Sequence, residues 1–215
     1  MTSSTQASAT SVAVAASSIP GEFLVPDLVD AFVVDQPEFS VETTLTDSAG
    51  VFAALREGRA EVGFAGAEPD GADLEATVVA ADEIVLAVPT GHDLAAQDTV
   101  AVSRLASEAL VEREEGSGTR RSFVDALADR GTPLLASDWA VRDSNEELLD
   151  TVADGGRVGV VSAWALERHP RDGVTTVRVD GGPITRCLYL VVRADAEFGP
   201  AATTFVALAR ERAES

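Results

Sequence analysis

Small hydroxyl and glycine residues recur in this sequence where an apolar, β-rich run gives way to a helical one, and such corners can bind anions without a basic side chain. Ser17 and Ser18 follow the first run, Thr46, Asp47 and Ser48 the second, and Gly66 the third. In the second half Ser117, Gly118, Thr119 and Arg120 follow one run, Ser144 and Asn145 another, and Ser162 a third. The first turn of a helix presents unpaired backbone N–H groups and roughly half a positive charge. Several such turns meeting at one place make a site for an oxyanion or a carboxylate. Glycine lets the backbone approach a ligand, and hydroxyls add neutral donors. The same residue types are also ordinary helix caps worth about 1 kcal/mol each, and Ser144-Asn145-Glu146-Glu147 is a plain capping box. The stretch Glu115-Gly116-Ser117-Gly118-Thr119-Arg120 exceeds what a cap requires. Its two glycines alternate with two hydroxyls and run straight into an arginine and a helix carrying Phe123 and Leu127. No GxxxxGK[ST] or GxGxxG pattern occurs, so this is not a nucleotide loop.

Other chemistry is thin. His92 sits in a Pro89-Thr90-Gly91-His92 turn and His169 beside Pro170, positions that suit solvated loop residues. Neither HExxH nor GxSxG is present, and the single cysteine, Cys187, alternates with Tyr189 and Val191 as a core residue of a strand. One cysteine forms no internal disulfide, and no metal or cofactor is expected. Carboxylates are too numerous to single out an acid and base pair, so no catalytic residue is expected.

The elements that position the corners alternate along the whole chain. Ser11 to Ala16 predicts a buried strand, followed by a helical stretch with stripes at Leu24, Leu28, Phe32 and at Val25, Val29, Val33. Pro26 fits there only in or near a first turn. Val41 to Leu45 predicts a strand, and Ser48 onward a helix with Phe52 and Leu55 inward and Gly58 as its stop. Further strands are expected at Val62 to Ala65, Ala76 to Val79, Ile84 to Val88, Ala109 to Arg113, Trp139 to Arg142, Val158 to Val161, Val174 to Val179 and Arg186 to Arg193. Helices are expected at Thr119 to Arg130, Glu146 to Asp154 and Pro200 to Arg212. Short apolar strands alternating with helices give an α/β class with mostly parallel strands, and a restart of the pattern near residue 90 gives two lobes.

The 215 residues carry 36 Asp and Glu against 16 basic residues, all arginine, for a formal net charge of -20 and a pI of about 4.3. Such a surface has no positive face for nucleic-acid phosphates or an anionic membrane. An acidic, lysine-free composition suits a salt-adapted, halophilic protein better than the alternative, an acidic partner-binding surface. No apolar stretch approaches the roughly 20 residues of a membrane helix. Residues 1–10 have no positive charge or long apolar run, so no export signal is read there; they are expected to be disordered, and the location to be cytoplasmic.

In order and spacing the motifs resemble the effector-binding (substrate-binding) domain of LysR-type transcription regulators, relatives of the type 2 periplasmic binding proteins. The likeness is carried by SVAVAASSIPGEFLVPDL (11–28), VETTLTDSAGVFAALREGRAEVGFAGA (41–67), EIVLAVPTGHDL (83–94), EALVEREEGSGTRRSFVDAL (108–127) and DSNEELLDTVADGGRVGVVSAWAL (143–166). It covers about residues 11–213 and is greatest to the branch with regulators of sulfur assimilation and oxyanion sensing. The resemblance implies a two-lobed fold, each lobe a mostly parallel sheet flanked by helices, with lobe 1 at 11–88 plus 189–215 and lobe 2 at 89–188. It implies a small anionic effector between the lobes, touched by Ser17, Ser18, Ser48, Gly66, Ser117, Gly118, Thr119, Arg120, Ser144 and Asn145, and a homodimer. Ser162 joins them from the corner pattern alone. Only ten residues precede the first strand, where the family carries a winged helix-turn-helix. The expectation is therefore a sensor without its own DNA-binding part, free-standing or served by a separate DNA-binding chain, unless the chain is a fragment. Two other readings remain open: a solute-binding protein of an anion transporter, which lacks support from an export signal, and an enzyme, which lacks a catalytic constellation.

Overall fold

The structure is a computed structural model that describes residues 10–134 and 139–213. The expectation for the N-terminal ten residues falls, for residues 1–9, outside the described residues. Along the chain the elements are β1 (Ser11–Ser17), α1 (Ser18–Phe23), α2 (Val25–Asp35), β2 (Ser40–Thr46), α3 (Ser48–Arg56), β3 (Val62–Ala65) and β4 (Leu74–Pro89). A single 3-10 turn at Asp93–Ala96 leads to β5 (Thr99–Val100), α4 (Val102–Leu105), β6 (Leu110–Arg113), α5 (Gly118–Asp129) and β7 (Ala140–Arg142). The chain ends with α6 (Asn145–Ala153), β8 (Val158–Ser162), α7 (Ala163–Arg168), β9 (Val174–Val179), β10 (Ile184–Arg193) and α8 (Pro200–Ala213). Two compact units result: one holds the residues up to Ala81 and from Cys187 onward, the other Asp82–Arg186. Among the described residues no helix is long and apolar enough to cross a membrane.

In the first unit β1 pairs in parallel with β2 and β3, and β10 adds antiparallel to β3. Side chains of β1 alternate between two helical layers, as a strand's period of two requires. Val12, Val14 and Ala16 pack with Leu28 and Phe32 of α2 and Phe205 of α8, whereas Ala15 packs with Val51 and Leu55 of α3. In the second unit β6 pairs in parallel with β7 and β8, and β4 pairs antiparallel with β8 and β9. Leu86, Leu110 and Val160 pack with Phe123 and Leu127 of α5, while Val85, Val111 and Val161 pack with Leu148 and Val152 of α6.

The same packing device occurs once in each unit. A Cβ on Gly63 of β3 would lie 2.7 Å from Val51 and 2.8 Å from Leu55, and one on Gly159 of β8 would lie 2.7 Å from Val152 and 2.8 Å from Leu148. Glycine at these two strand positions lets α3 and α6 lie close on their sheets.

Three expectations need correction. Ala76 to Val79 and Ile84 to Val88 are not separate strands but parts of the sixteen-residue β4. The polar Asp82 between them stays in the strand because it is hydrogen-bonded inside the protein, as described below. The Val25, Val29, Val33 stripe is buried only at its start, and Val33 is 39% exposed. A spacing of four outruns the 3.6-residue turn by about 40° per step, so the stripe drifts off the buried face. Leu24 separates α1 from α2, and Pro26 then falls in the first turn of α2, where its missing N–H does no harm. Cys187 is half-buried rather than core: on the face it shares with Tyr189 and Val191, Val191 is the fully buried one.

Candidate functional site

Parallel strands bring their carboxyl ends to one edge of a sheet, and the corners that follow collect there. In the first unit Ser17 of β1 is in register with Thr46 of β2, and the buried Ser17 Oγ accepts the Gly66 N–H at 3.1 Å after β3. Ser18 opens α1 and is half-buried. Asp47 caps α3 by accepting the Gly50 N–H at 2.6 Å, which leaves Ser48, the first residue of α3, uncommitted to the cap. Ser48 is 2% exposed, and its hydroxyl has no hydrogen-bond partner among the described residues.

In the second unit the corners divide in the same way. Ser144 caps α6 by accepting the Glu147 N–H at 3.1 Å. Ser162 is fully buried, accepts the Ala165 N–H at 3.4 Å and donates to Asp82 Oδ1 at 2.9 Å, so its hydroxyl serves the interior. Asn145 is buried and its Oδ1 accepts from Arg113 Nη1 at 2.7 Å. Ser117 is the N-cap of α5, yet its side chain caps no N–H. It is 3% exposed, and its hydroxyl has no partner among the described residues. Gly118 and the buried Thr119 complete the first turn. A buried hydroxyl left unpaired costs about 1–3 kcal/mol, so Ser48 and Ser117 stand apart from corners that only cap.

Arg120 does not point freely at the α5 terminus. Its Nε lies 3.0 Å from Glu112 Oε1, and Glu112, on the Leu110 face of β6, is almost fully buried. The other oxygen, Oε2, has no partner among the described residues. Burial raises the Glu112 carboxyl to about 7, with Arg120 pulling the other way. A carboxyl raised above its unfolded value stabilises the fold below the unfolded value, and that contribution is lost as pH rises through about 7. The stability difference between parent and Glu112→Gln is therefore expected to change between about pH 5 and 8, the parent losing more on the alkaline side. Urea midpoints at the two pH values check this, and a constant difference overturns it.

Two buried arginines escape a reading of the corners. Arg113 ends β6 on the face opposite Glu112, donates to Asn145 Oδ1 and to the Asp143 carbonyl at 3.0 Å, and pairs with Glu114 at 2.9 Å. It thereby fixes the β7–α6 corner against β6. Arg186 donates through Nε and Nη2 to Asp82 Oδ2 at 2.9 and 2.7 Å. Burial lowers the Arg186 pKa, Asp82 opposes that, and Arg113 adds to the lowering. The signal for both was a charge at an inward position of an apolar strand, LVER and ITRC. His92 accepts the Leu94 N–H through Nδ1 and has Nε2 3.4 Å from Glu108, a loop contact. Among the described residues no cluster suited to a metal occurs.

Residues 5–214 match the family model described as the LysR substrate binding domain. The chain belongs to this LysR substrate-binding family. An uncharacterized HTH-type transcriptional regulator of Methanocaldococcus jannaschii, MJ0300, is 33% identical over 178 residues, 82% of this chain and 60% of its own length. The phosphonates import ATP-binding protein PhnC of Anaeromyxobacter dehalogenans is 37% identical over 199 residues, 92% of this chain and 40% of its own. The chain thus spans less than two thirds of either relative. The regulatory domain of Synechocystis CcmR, solved in complex with 2-PG, superposes with a TM-score of 0.84 at 21% identity, covering 96% of this chain and 98% of that one. The fold of this LysR domain is accordingly the type 2 periplasmic-binding-protein architecture of effector-binding domains.

Proposed function

We propose that this LysR substrate-binding domain senses a small anion, an oxyanion or a carboxylate, held at the first turn of α5 by Ser117, Gly118 and Thr119. The observation that carries the reading is the buried, unpartnered Ser117 hydroxyl at the N-terminus of a twelve-residue helix. An anion there would accept the hydroxyl and the backbone N–H groups and meet the positive end of the helix. The 2-PG complex of the CcmR domain supports an anionic ligand. Ser48 carries the same kind of hydroxyl in the first unit, and a Ser48→Ala variant reports whether that unit takes part. Binding acts by favouring one conformation of the domain over another, and a DNA-reading element takes up the change. The domain is proposed to work without catalysis, as a homodimer in the cytoplasm, and its acidic, lysine-free composition supports a salt-adapted surface.

A melting screen in high salt of sulfate, sulfite, thiosulfate, molybdate, tungstate, phosphate, 2-PG and small carboxylates tests the reading. At a hundredfold excess over Kd the cognate anion stabilises by about 2.7 kcal/mol, which raises the midpoint by roughly 5–11 °C. A midpoint unmoved by every anion overturns the site. A second reading, capture of an anion for import, is favoured by the PhnC relative. Selective stabilisation by an alkylphosphonate, with no response to the other anions, supports it instead.

A further inference from the structure

Glu112 carries a second unpartnered group, and Arg120, in the same helix turn as Ser117, links it to α5. Glu112 lies on the face of β6 that packs under α5, and Arg120 reaches back to its Oε1 from α5. Ser117 and Arg120 are three residues apart, so they share one face of the first turn. Both the Ser117 hydroxyl and Glu112 Oε2 are buried without a partner among the described residues. Of the other charges near β6, Arg157, which precedes β8, donates to the Leu110 carbonyl of β6 at 2.9 Å. Arg142 of β7 binds Thr151 Oγ1 and the Val141 carbonyl, and Glu114 in the following loop pairs with Arg113. Glu115 is exposed, Arg121 on α5 is exposed, and β8 carries no titratable side chain. On the far face, toward α6, Arg113 binds Asn145. Arg120 is the charge that acts on Glu112.

We infer that anion binding at the first turn of α5 is coupled to the uptake of one proton by Glu112. An anion beside Ser117 competes for the Arg120 guanidinium and adds a second negative charge near the carboxylate, and both effects favour the neutral acid. The proton comes from solvent and forms an O–H bond at Oε2, the oxygen with no partner; no other bond changes. Burial already holds this carboxyl at about 7, so both forms are populated near neutral pH. The anion-bound domain then carries a neutral Glu112, whereas in the empty domain the ionised form paired with Arg120 gains weight as pH rises above about 7. Affinity falls as pH rises, by about tenfold for each unit by which the bound anion lifts the Glu112 carboxyl.

This inference rests on the anion-site reading, and calorimetry separates the two. Sulfate, molybdate and succinate, whose charges are constant from about pH 7 to 8.5, are titrated into the intact chain in two buffers of different ionisation enthalpy. The expected result is a buffer-dependent heat that reports proton uptake by the parent, an affinity that falls with pH, and neither effect in Glu112→Gln. Binding with equal heats in both buffers, or the same uptake in Glu112→Gln, overturns the coupling alone. No heat from any of the three anions, with parent or variant, together with a midpoint unmoved by every anion of the melting screen, overturns the site and the coupling together. Should Glu112→Gln not fold, Arg120→Gln serves: without its counter-charge Glu112 is already neutral near pH 7, so uptake there disappears, and its persistence overturns the inference.

Discussion

Asp82→Ala is expected to lower the stability of the second unit by about 3–5 kcal/mol, because it leaves the Arg186 guanidinium buried and uncompensated. Asp82 is 3% exposed and Arg186 8%, and the carboxylate accepts three hydrogen bonds, two from Arg186 and one from Ser162. The two residues are also the first and last of the second unit, so the pair ties the entering strand β4 to the leaving strand β10. In a domain of this size the loss corresponds to a fall in melting temperature of roughly 6–20 °C. The comparison that gives the number meaning is the double variant Asp82→Leu, Arg186→Met. Replacing both charges by apolar groups of similar size is close to neutral or stabilising when the single loss reflects an unpaired charge. A single variant within about 1 kcal/mol of the parent, or a double variant as unstable as the single one, shows that the pair does not hold the two strands together.

That pair also marks where the sequence stops being readable. The apolar runs of β1, β3 and β9 announce themselves because one or both faces are buried along their whole length, and α5 and α6 because their inward positions repeat with the helical turn. A local reading splits β4 between Val79 and Ile84, where Asp82 and Glu83 interrupt the apolar pattern. The partner of Asp82 lies 104 residues away, beyond any local pattern. Burying an ion is tolerated only when such a partner arrives, so the strand can be completed only in three dimensions. The corner residues were legible as a class, since strand ends and helix starts are local events. Their division into groups that cap and groups that do not was illegible. Ser144 and Ser117 both precede a helix, but one accepts the N–H three residues on and the other bonds to nothing described. Arg120 illustrates the same limit, because its partner Glu112 precedes the loop and belongs to a strand whose inward face only the packing reveals.

Ser117→Asp is expected to cost the domain its anion and some of its stability. Aspartate is as good an N-cap as serine and the helix dipole favours a carboxylate beside the first turn of α5, but the position is 3% exposed and on the side of the buried Glu112 carboxyl, so burial and like-charge repulsion outweigh that gain and the melting temperature falls. The same carboxylate occupies the N–H groups an incoming anion would use and repels it. Two like charges about 4 Å apart repel by roughly 1–4 kcal/mol between water and a partly buried site, which weakens binding by about 5- to 1,000-fold. Ser117→Ala is the milder companion: it removes one neutral donor, worth about 0.5–1.5 kcal/mol, and lowers affinity by roughly two- to tenfold. Its effect on folding discriminates between roles. A capping serine costs about 1 kcal/mol when replaced by alanine, whereas a buried hydroxyl with no partner costs nothing to lose and can even stabilise. Loss of stability in Ser117→Ala together with full anion binding in Ser117→Asp would make Ser117 a cap and move the ligand away from α5. Retained stability in Ser117→Ala, with binding weakened in that variant and lost in Ser117→Asp, ties the anion to a hydroxyl at that turn which has no partner among the described residues.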